Sequence, residues 1–215
     1  MRPSVKICGL NSPDAVAAAV AGGADFVGLV FYPPSPRSVD ADSAATLARQ
    51  VPERVLRVGL FVDPDDELLR RVTARVTLDL VQLHGSEPPE RVAAIKALTG
   101  LPAMKAIKVA VAADVDVASR YVGVADRLLF DAKVPETMPG ALPGGNAVSF
   151  DWALLSGRNW PVPWMLSGGI NSGNVVEAVR ISGARIVDVS SGVETRPGVK
   201  DPAKIREFLA TASAL

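Results

Sequence analysis

Eight short runs rich in Val, Leu, Ile and Phe punctuate the chain: VKIC (5–8), FVGLVF (26–31), VLRVGLFV (55–62), LDLVQLHG (78–85), AMKAIKV (103–109), RLLFDA (127–132), WMLSGG (164–169) and RIVDVSSG (185–192). None alternates apolar with polar residues as a half-exposed strand must, so they read as parallel strands buried on both faces. Segments of helical period lie between most of them, at 12–23, 40–51, 63–76, 87–100, 171–183 and 201–215. Several open with an Asp, Ser or Asn cap and an early proline and stop at glycine, as helix ends do. This alternation, within 215 residues, predicts an α/β fold: one (β/α)8 TIM-barrel domain over 1–215, near the lower size bound of about 200 residues for such barrels. The alternative is an open doubly wound sheet. It is disfavoured by the strand count and by the lack of a GxGxxG after the first strand.

Composition narrows the partners. Lys plus Arg equals Asp plus Glu at 23 each, so no broad field of one sign draws in nucleic acid or an anionic membrane. An anionic ligand must be held by local groups. No apolar run approaches the roughly 18 residues of a membrane span, and the N-terminus lacks a basic-then-apolar leader pattern, which together predict a soluble, cytoplasmic protein. One cysteine and one histidine, Cys8 and His84, cannot form a disulfide or a Cys/His zinc site, and no dense Asp/His cluster points to another metal.

In a barrel, the chemistry sits where strands end. Cys8 ends the first run. It is either a small buried hydrophobe or a reactive thiol, and Lys6, two residues earlier and on the same side of the strand, would favour the thiolate. Asp131 ends the sixth run. A carboxylate there needs a partner, with Lys133 nearest in sequence, or a purpose, since apolar surroundings keep a proton available for donation. The turns SGGI (167–170) and SSGV (190–193) follow the seventh and eighth runs, where freed amides bind phosphate in such barrels, although tight turns need glycine in any case. Arg37, in the proline-stiffened YPPSPRSV (32–39), is either a solvated loop residue or a bidentate grip for a carboxylate. His84 reads as a hydrogen-bonded rim residue, a role Gln82 can share.

The ordered set KICGL, GLVFYPPSPRSV, VQLHG, LLFDAK, PGGNAVSFDW, LSGGINSGNV and VDVSSGVETRPGVKD resembles the phosphoribosylanthranilate isomerase family of tryptophan biosynthesis over nearly the whole chain. The resemblance implies a barrel without cofactor or metal that performs an Amadori rearrangement on a small phosphorylated substrate, with no nucleic-acid or membrane partner. It implies Cys8 as general base, Asp131 as general acid, and Arg37 as the holder of the anthranilate carboxylate. Gly168, Gly169, Ser191 and Gly192 would form the phosphate cradle, with Lys6 and His84 as secondary candidates. The acidic limb of the pH profile would then belong to the thiol and the basic limb to the carboxylic acid. One departure stands out: Ala147 occupies a position where the family often has glycine, which matters if that position needs positive φ. Three other readings fit less well. A metal-assisted pentose-phosphate epimerase would need more histidines, a non-catalytic flavin-binding barrel would be coloured when purified, and a scaffold without ligand would leave the two anion turns, the strand-end thiol and the strand-end carboxylate without a joint explanation.

Overall fold

β1 (Ser4–Cys8) pairs in parallel with β2 (Phe26–Phe31) on one side and with β8 (Ile186–Val189) on the other, and this double pairing closes the sheet. Between them run β3 (Leu56–Phe61), β4 (Leu80–Leu83), β5 (Ala103–Val109), β6 (Arg127–Ala132) and β7 (Trp164–Leu166), giving an eight-stranded closed barrel in sequence order. The computed structural model describes residues 2–135, 137 and 142–215. The closed barrel, and not the open sheet, is therefore the architecture.

Helices α1 (Pro13–Ala21), α2 (Ala41–Ala48), α3 (Asp66–Arg75), α4 (Pro89–Thr99), α6 (Val175–Ser182) and α7 (Pro202–Ser213) surround it, with a short α5 (Ala112–Asp116) after β5. Their starts follow the capping chemistry: the side chains of Asp40, Asp65 and Asp201 accept from backbone amides of Ser43 (2.8 Å), Leu68 (2.7 Å) and Ala203 (2.8 Å), satisfying donors a helix leaves free. α4 and α6 stop at Gly100 and Gly183, both left-handed.

Two units depart from the repeat. α5 passes directly into a 3₁₀ turn (Val117–Tyr121), and among the described residues β6 is followed before β7 by only a 3₁₀ turn (Trp152–Leu155). Pro135, Pro143, Gly144 and Gly145 interrupt any helix in the latter connection. Aromatic packing covers the barrel where that helix is missing: Trp160 and Trp164 lie 4.5 and 5.7 Å, centroid to centroid, from Phe130 on β6. The irregular stretch 132–150 lies partly outside the described residues, at 136 and 138–141.

Strand alternation sorts the side chains into two cores. Inside the barrel sit Phe26, Val58, Leu80, Met104, Leu129 and Met165. Ile7, Val27, Val81 and Phe130 face outward into the layer under the helices. The same alternation sends Lys6 and Cys8, Gln82 and His84, and Asp131 inward, above the apolar layer. Among the described residues no helix is long and apolar enough to cross a membrane.

Candidate active site

The carboxyl ends of the strands open into a cleft, and Cys8, Arg37, His84 and Asp131 all line it, with Gly168, Gly169 and Ser191. Both long irregular connections singled out from sequence, after β2 and after β6, border this mouth. Gly192 and Lys6 do not line it. A Cβ on Gly192 would collide with the Ile170 carbonyl oxygen, so its lack of a side chain serves close packing between the turns after β7 and β8. Lys6 lies beneath the cleft.

Cys8 is 4% exposed. Gly28 faces it across β2, and a Cβ there would approach Sγ to 2.9 Å and Lys6 Nζ to 3.3 Å, so glycine makes the space the thiol occupies. Lys6 is fully buried, and its Nζ pairs with Asp188 Oδ1 at 2.8 Å. Burial works against the charge on Lys6, but Asp188 and Cys8 together hold its pKa well above the usual lysine value. Burial pushes the Cys8 thiol up, and Asp188 adds to the rise. Lys6 and Lys200 pull it down without reversing the direction. Lys6 thus favours the thiolate, the direction expected from its place on β1, but it is also paired with Asp188 and desolvation outweighs it.

Asp131 pairs not with Lys133 but with His84. His84 Nε2 lies 3.0 Å from Asp131 Oδ2, while Oδ1 accepts from the Ala132 amide at 3.0 Å. Lys133 turns to Asp114 instead, at 3.3 Å. His84 Nδ1 lies 2.9 Å from Gln82 Nε2. Gly144 closes over this pair, since a Cβ on it would lie 2.7 Å from His84 Nε2 and 3.0 Å from Asp131 Oδ2.

Arg37 is buried rather than a solvated loop residue. Its Nε and Nη2 bind Glu194 Oε1 and Oε2, both at 2.8 Å, and Nη2 also donates to the Gly145 carbonyl at 3.0 Å. Glu194 begins a small antiparallel hairpin, β9 (Glu194–Arg196) with β10 (Val199–Lys200), and also accepts from Lys200 Nζ at 2.7 Å. Burial opposes the Glu194 charge, yet Arg37 and Lys200 hold its carboxyl below the usual range. Lys200 further donates to the Ser190 carbonyl at 2.8 Å, and the Ser190 hydroxyl donates to the Cys8 carbonyl at 3.1 Å. The hairpin thus braces both Arg37 and the end of β1. Of the guanidinium, Nη1 has no acceptor among the described residues.

Gly168 and Gly169 are left-handed, with φ of 89° and 66°. Among the described residues, the amides of Gly168, Gly169, Ser191 and Gly192 donate to no carbonyl or side chain. Such a nest of free donors fits an anion. Ala147 has φ of 56°, so the position does take the conformation glycine favours, at a cost on the order of 1 kcal/mol.

Sequence reasoning left Glu194, Lys200, Asp188 and Gly28 without roles. Asp188 carried the same mark as Asp131, an acid in an otherwise apolar strand, and Glu194 and Lys200 sit in the motif VDVSSGVETRPGVKD. Gly28 carried no mark, because its function is the absence of a side chain opposite a residue on another strand.

A closed barrel with a buried thiol, a hydrogen-bonded carboxyl and a free amide nest at one mouth defines the class of small acid–base barrel enzymes that act on anionic metabolites. The comparison with known proteins is specific. The family model for N-(5'-phosphoribosyl)anthranilate (PRA) isomerase matches residues 5–211, and the chain belongs to this family. It is 65% identical over 215 residues to N-(5'-phosphoribosyl)anthranilate isomerase of Rhodospirillum centenum, covering 100% of both chains. Its fold is similar to the crystal structure of phosphoribosyl anthranilate isomerase from Thermotoga maritima, with TM-score 0.87 and 37% identity over 99% of this chain and 100% of that one. It is also similar, with TM-score 0.83 and 34% identity over 99% of this chain and 100% of that one, to such an isomerase in complex with reduced 1-(o-carboxyphenylamino)-1-deoxyribulose 5-phosphate.

Proposed function

We propose that Cys8 and Asp131 are the base and the acid of a phosphoribosylanthranilate isomerase, housed in a single cytoplasmic (β/α)8 domain. The chain catalyses the aldose–ketose isomerisation of N-(5'-phosphoribosyl)anthranilate in tryptophan biosynthesis. Asp131 gives a proton to the furanose ring oxygen as the C1–O bond breaks, and the anilino nitrogen lone pair forms the C1=N bond of a Schiff base. The Cys8 thiolate then removes the C2 proton, and the electron pair left at C2 forms the C1=C2 bond and neutralises the nitrogen. The resulting enolamine becomes the ketone when a proton leaves O2 and one is added at C1. One acid and one base suffice. The observation that carries this reading is the convergence of Cys8 on β1 and Asp131 on β6 upon one cleft, beside amides free for a phosphate.

The phosphate occupies the nest of Gly168, Gly169 and Ser191, with Gly192 contributing its amide from behind. The anthranilate carboxylate meets Arg37 through Nη1, because Glu194 already holds Nε and Nη2. Purified protein given the substrate should consume it with loss of anthranilate-type fluorescence, and no turnover would refute the reading. Arg37→Ala should raise KM, with kcat/KM down about 30-fold for roughly 2 kcal/mol of lost charge-assisted hydrogen bonding. Steady-state kinetics decide it, and an unchanged kcat/KM removes Arg37 from the site.

A further inference from the structure

Beneath the mouth, the barrel interior is apolar, built from Leu80, Met104, Leu129 and Met165. Gln82, two residues along β4 from Leu80 and on the same face, is fully buried, and its Oε1 has no partner among the described residues. Leaving such an acceptor unsatisfied is costly, whereas a leucine or methionine of similar volume would fill the space without that cost. Its other amide atom, Nε2, touches His84 Nδ1 at 2.9 Å, and His84 Nε2 reaches Asp131 Oδ2 at 3.0 Å. Three side chains from two strands therefore form one hydrogen-bonded file ending on the proposed acid.

The donor and acceptor roles along that file have two consistent settings. In one, Gln82 Nε2 donates to Nδ1 of a neutral imidazole, whose Nε2–H donates to an Asp131 carboxylate. Turning the amide by half a rotation places Oε1 where Nε2 was, since the two atoms are nearly equal in size. Nδ1–H then donates to Oε1, and the bare Nε2 accepts from the hydroxyl of a protonated Asp131. The first setting fits Asp131 after it has given up its proton, and the second fits it before.

We infer that Gln82 is a positioning residue for proton donation: its amide, able to turn, sets the tautomer of His84 so that the imidazole matches Asp131 both as acid and as carboxylate. The inference rests on Asp131 being the acid of the isomerase reaction. It accounts for the idle Oε1, which is used in the other setting. Passing from the second setting to the first, the file loses one proton, the one Asp131 delivers to the ring oxygen, and the neutral imidazole carries its single proton on Nδ1 in the second setting and on Nε2 in the first.

The chain has one histidine, so nitrogen-15 NMR of the labelled protein reads His84 without ambiguity. The wild-type enzyme should show the Nε2–H tautomer when Asp131 is ionised and the Nδ1–H tautomer when Asp131 is protonated. In Gln82→Met, which keeps volume and removes both polar atoms, the two neutral tautomers should mix and kcat should fall about tenfold, as for other residues that orient a catalytic group. Gln82→Glu places a permanent acceptor at Nδ1, holding a proton there. The imidazole then keeps Asp131 as a carboxylate by also donating from Nε2, and kcat should fall about a hundredfold. KM should change little in either variant. Folded variants with wild-type kcat, or with the wild-type tautomer, overturn the inference. If neither variant folds, the wild-type spectrum followed across pH still decides: a tautomer that does not change with the protonation of Asp131 overturns it. Turnover by the wild-type chain is read in the same assay, so a failure of the isomerase reading shows separately, as no activity before any substitution.

Discussion

Cys8→Ser should give a folded protein whose kcat/KM is lower by a factor of about 100 or more, the range expected when a general base is removed. Folding should persist because serine is close to cysteine in size and Gly28 leaves room opposite the side chain. The position also borders a cleft that can supply water to the hydroxyl. Activity should not persist, because a hydroxyl is far harder to deprotonate than a thiol, and the same burial that raises the thiol disfavours an alkoxide still more. Circular dichroism and steady-state kinetics on one preparation test this. A folded Cys8→Ser enzyme with most of the wild-type kcat/KM would make the thiol a packing residue and remove the base from the mechanism.

Asp131→Asn should be equally damaging for the opposite reason. The amide keeps the shape of the carboxyl and can still hydrogen-bond His84, but it has no proton to give to the ring oxygen, so kcat should fall by about 10²- to 10⁴-fold. Binding should be nearly intact if, as proposed, Arg37 and the free amides after β7 and β8 hold the two ends of the substrate. Measuring kcat separately from KM distinguishes loss of chemistry from loss of binding. A loss confined to KM would mean that Asp131 positions the substrate without protonating it.

The fold was legible because a closed parallel barrel imposes a strong pattern: eight strands buried on both faces cannot alternate polar with apolar residues, and each must be followed by a cap and a return segment. The two units that fail this pattern, after β5 and β6, were the weakest in sequence as well, since neither carries a full helical period. The candidate residues at strand ends were legible for the same reason, as an acid or thiol at the end of an apolar run is conspicuous. Their partners were not. Asp131 meets His84 from β4, Lys6 meets Asp188 from β8, and Arg37 meets Glu194, which is 157 residues away in sequence. Such pairings follow from barrel closure, not from local spacing, so Lys133 seemed the natural partner of Asp131 and Lys6 seemed free to activate Cys8. Ala147 is the instructive opposite. Its departure from glycine raises the question of positive φ from the sequence alone, and the residue is left-handed, because that backbone demand is local.

The raised Cys8 thiol also moves the pH limb that would report it. On the proposed mechanism the base is a thiolate, and burial holds the Cys8 thiol above its ordinary value, so the limb of kcat/KM that follows the thiol is expected above the ordinary cysteine range. As the only cysteine, Cys8 can be titrated directly by the ultraviolet absorbance of its thiolate, with Cys8→Ser as the blank. The expected result is a thiolate that appears above the ordinary cysteine range, with a midpoint that coincides with a limb of kcat/KM in the free enzyme. A thiolate already formed at neutral pH, or an activity that passes through the thiol's transition unchanged, would contradict it.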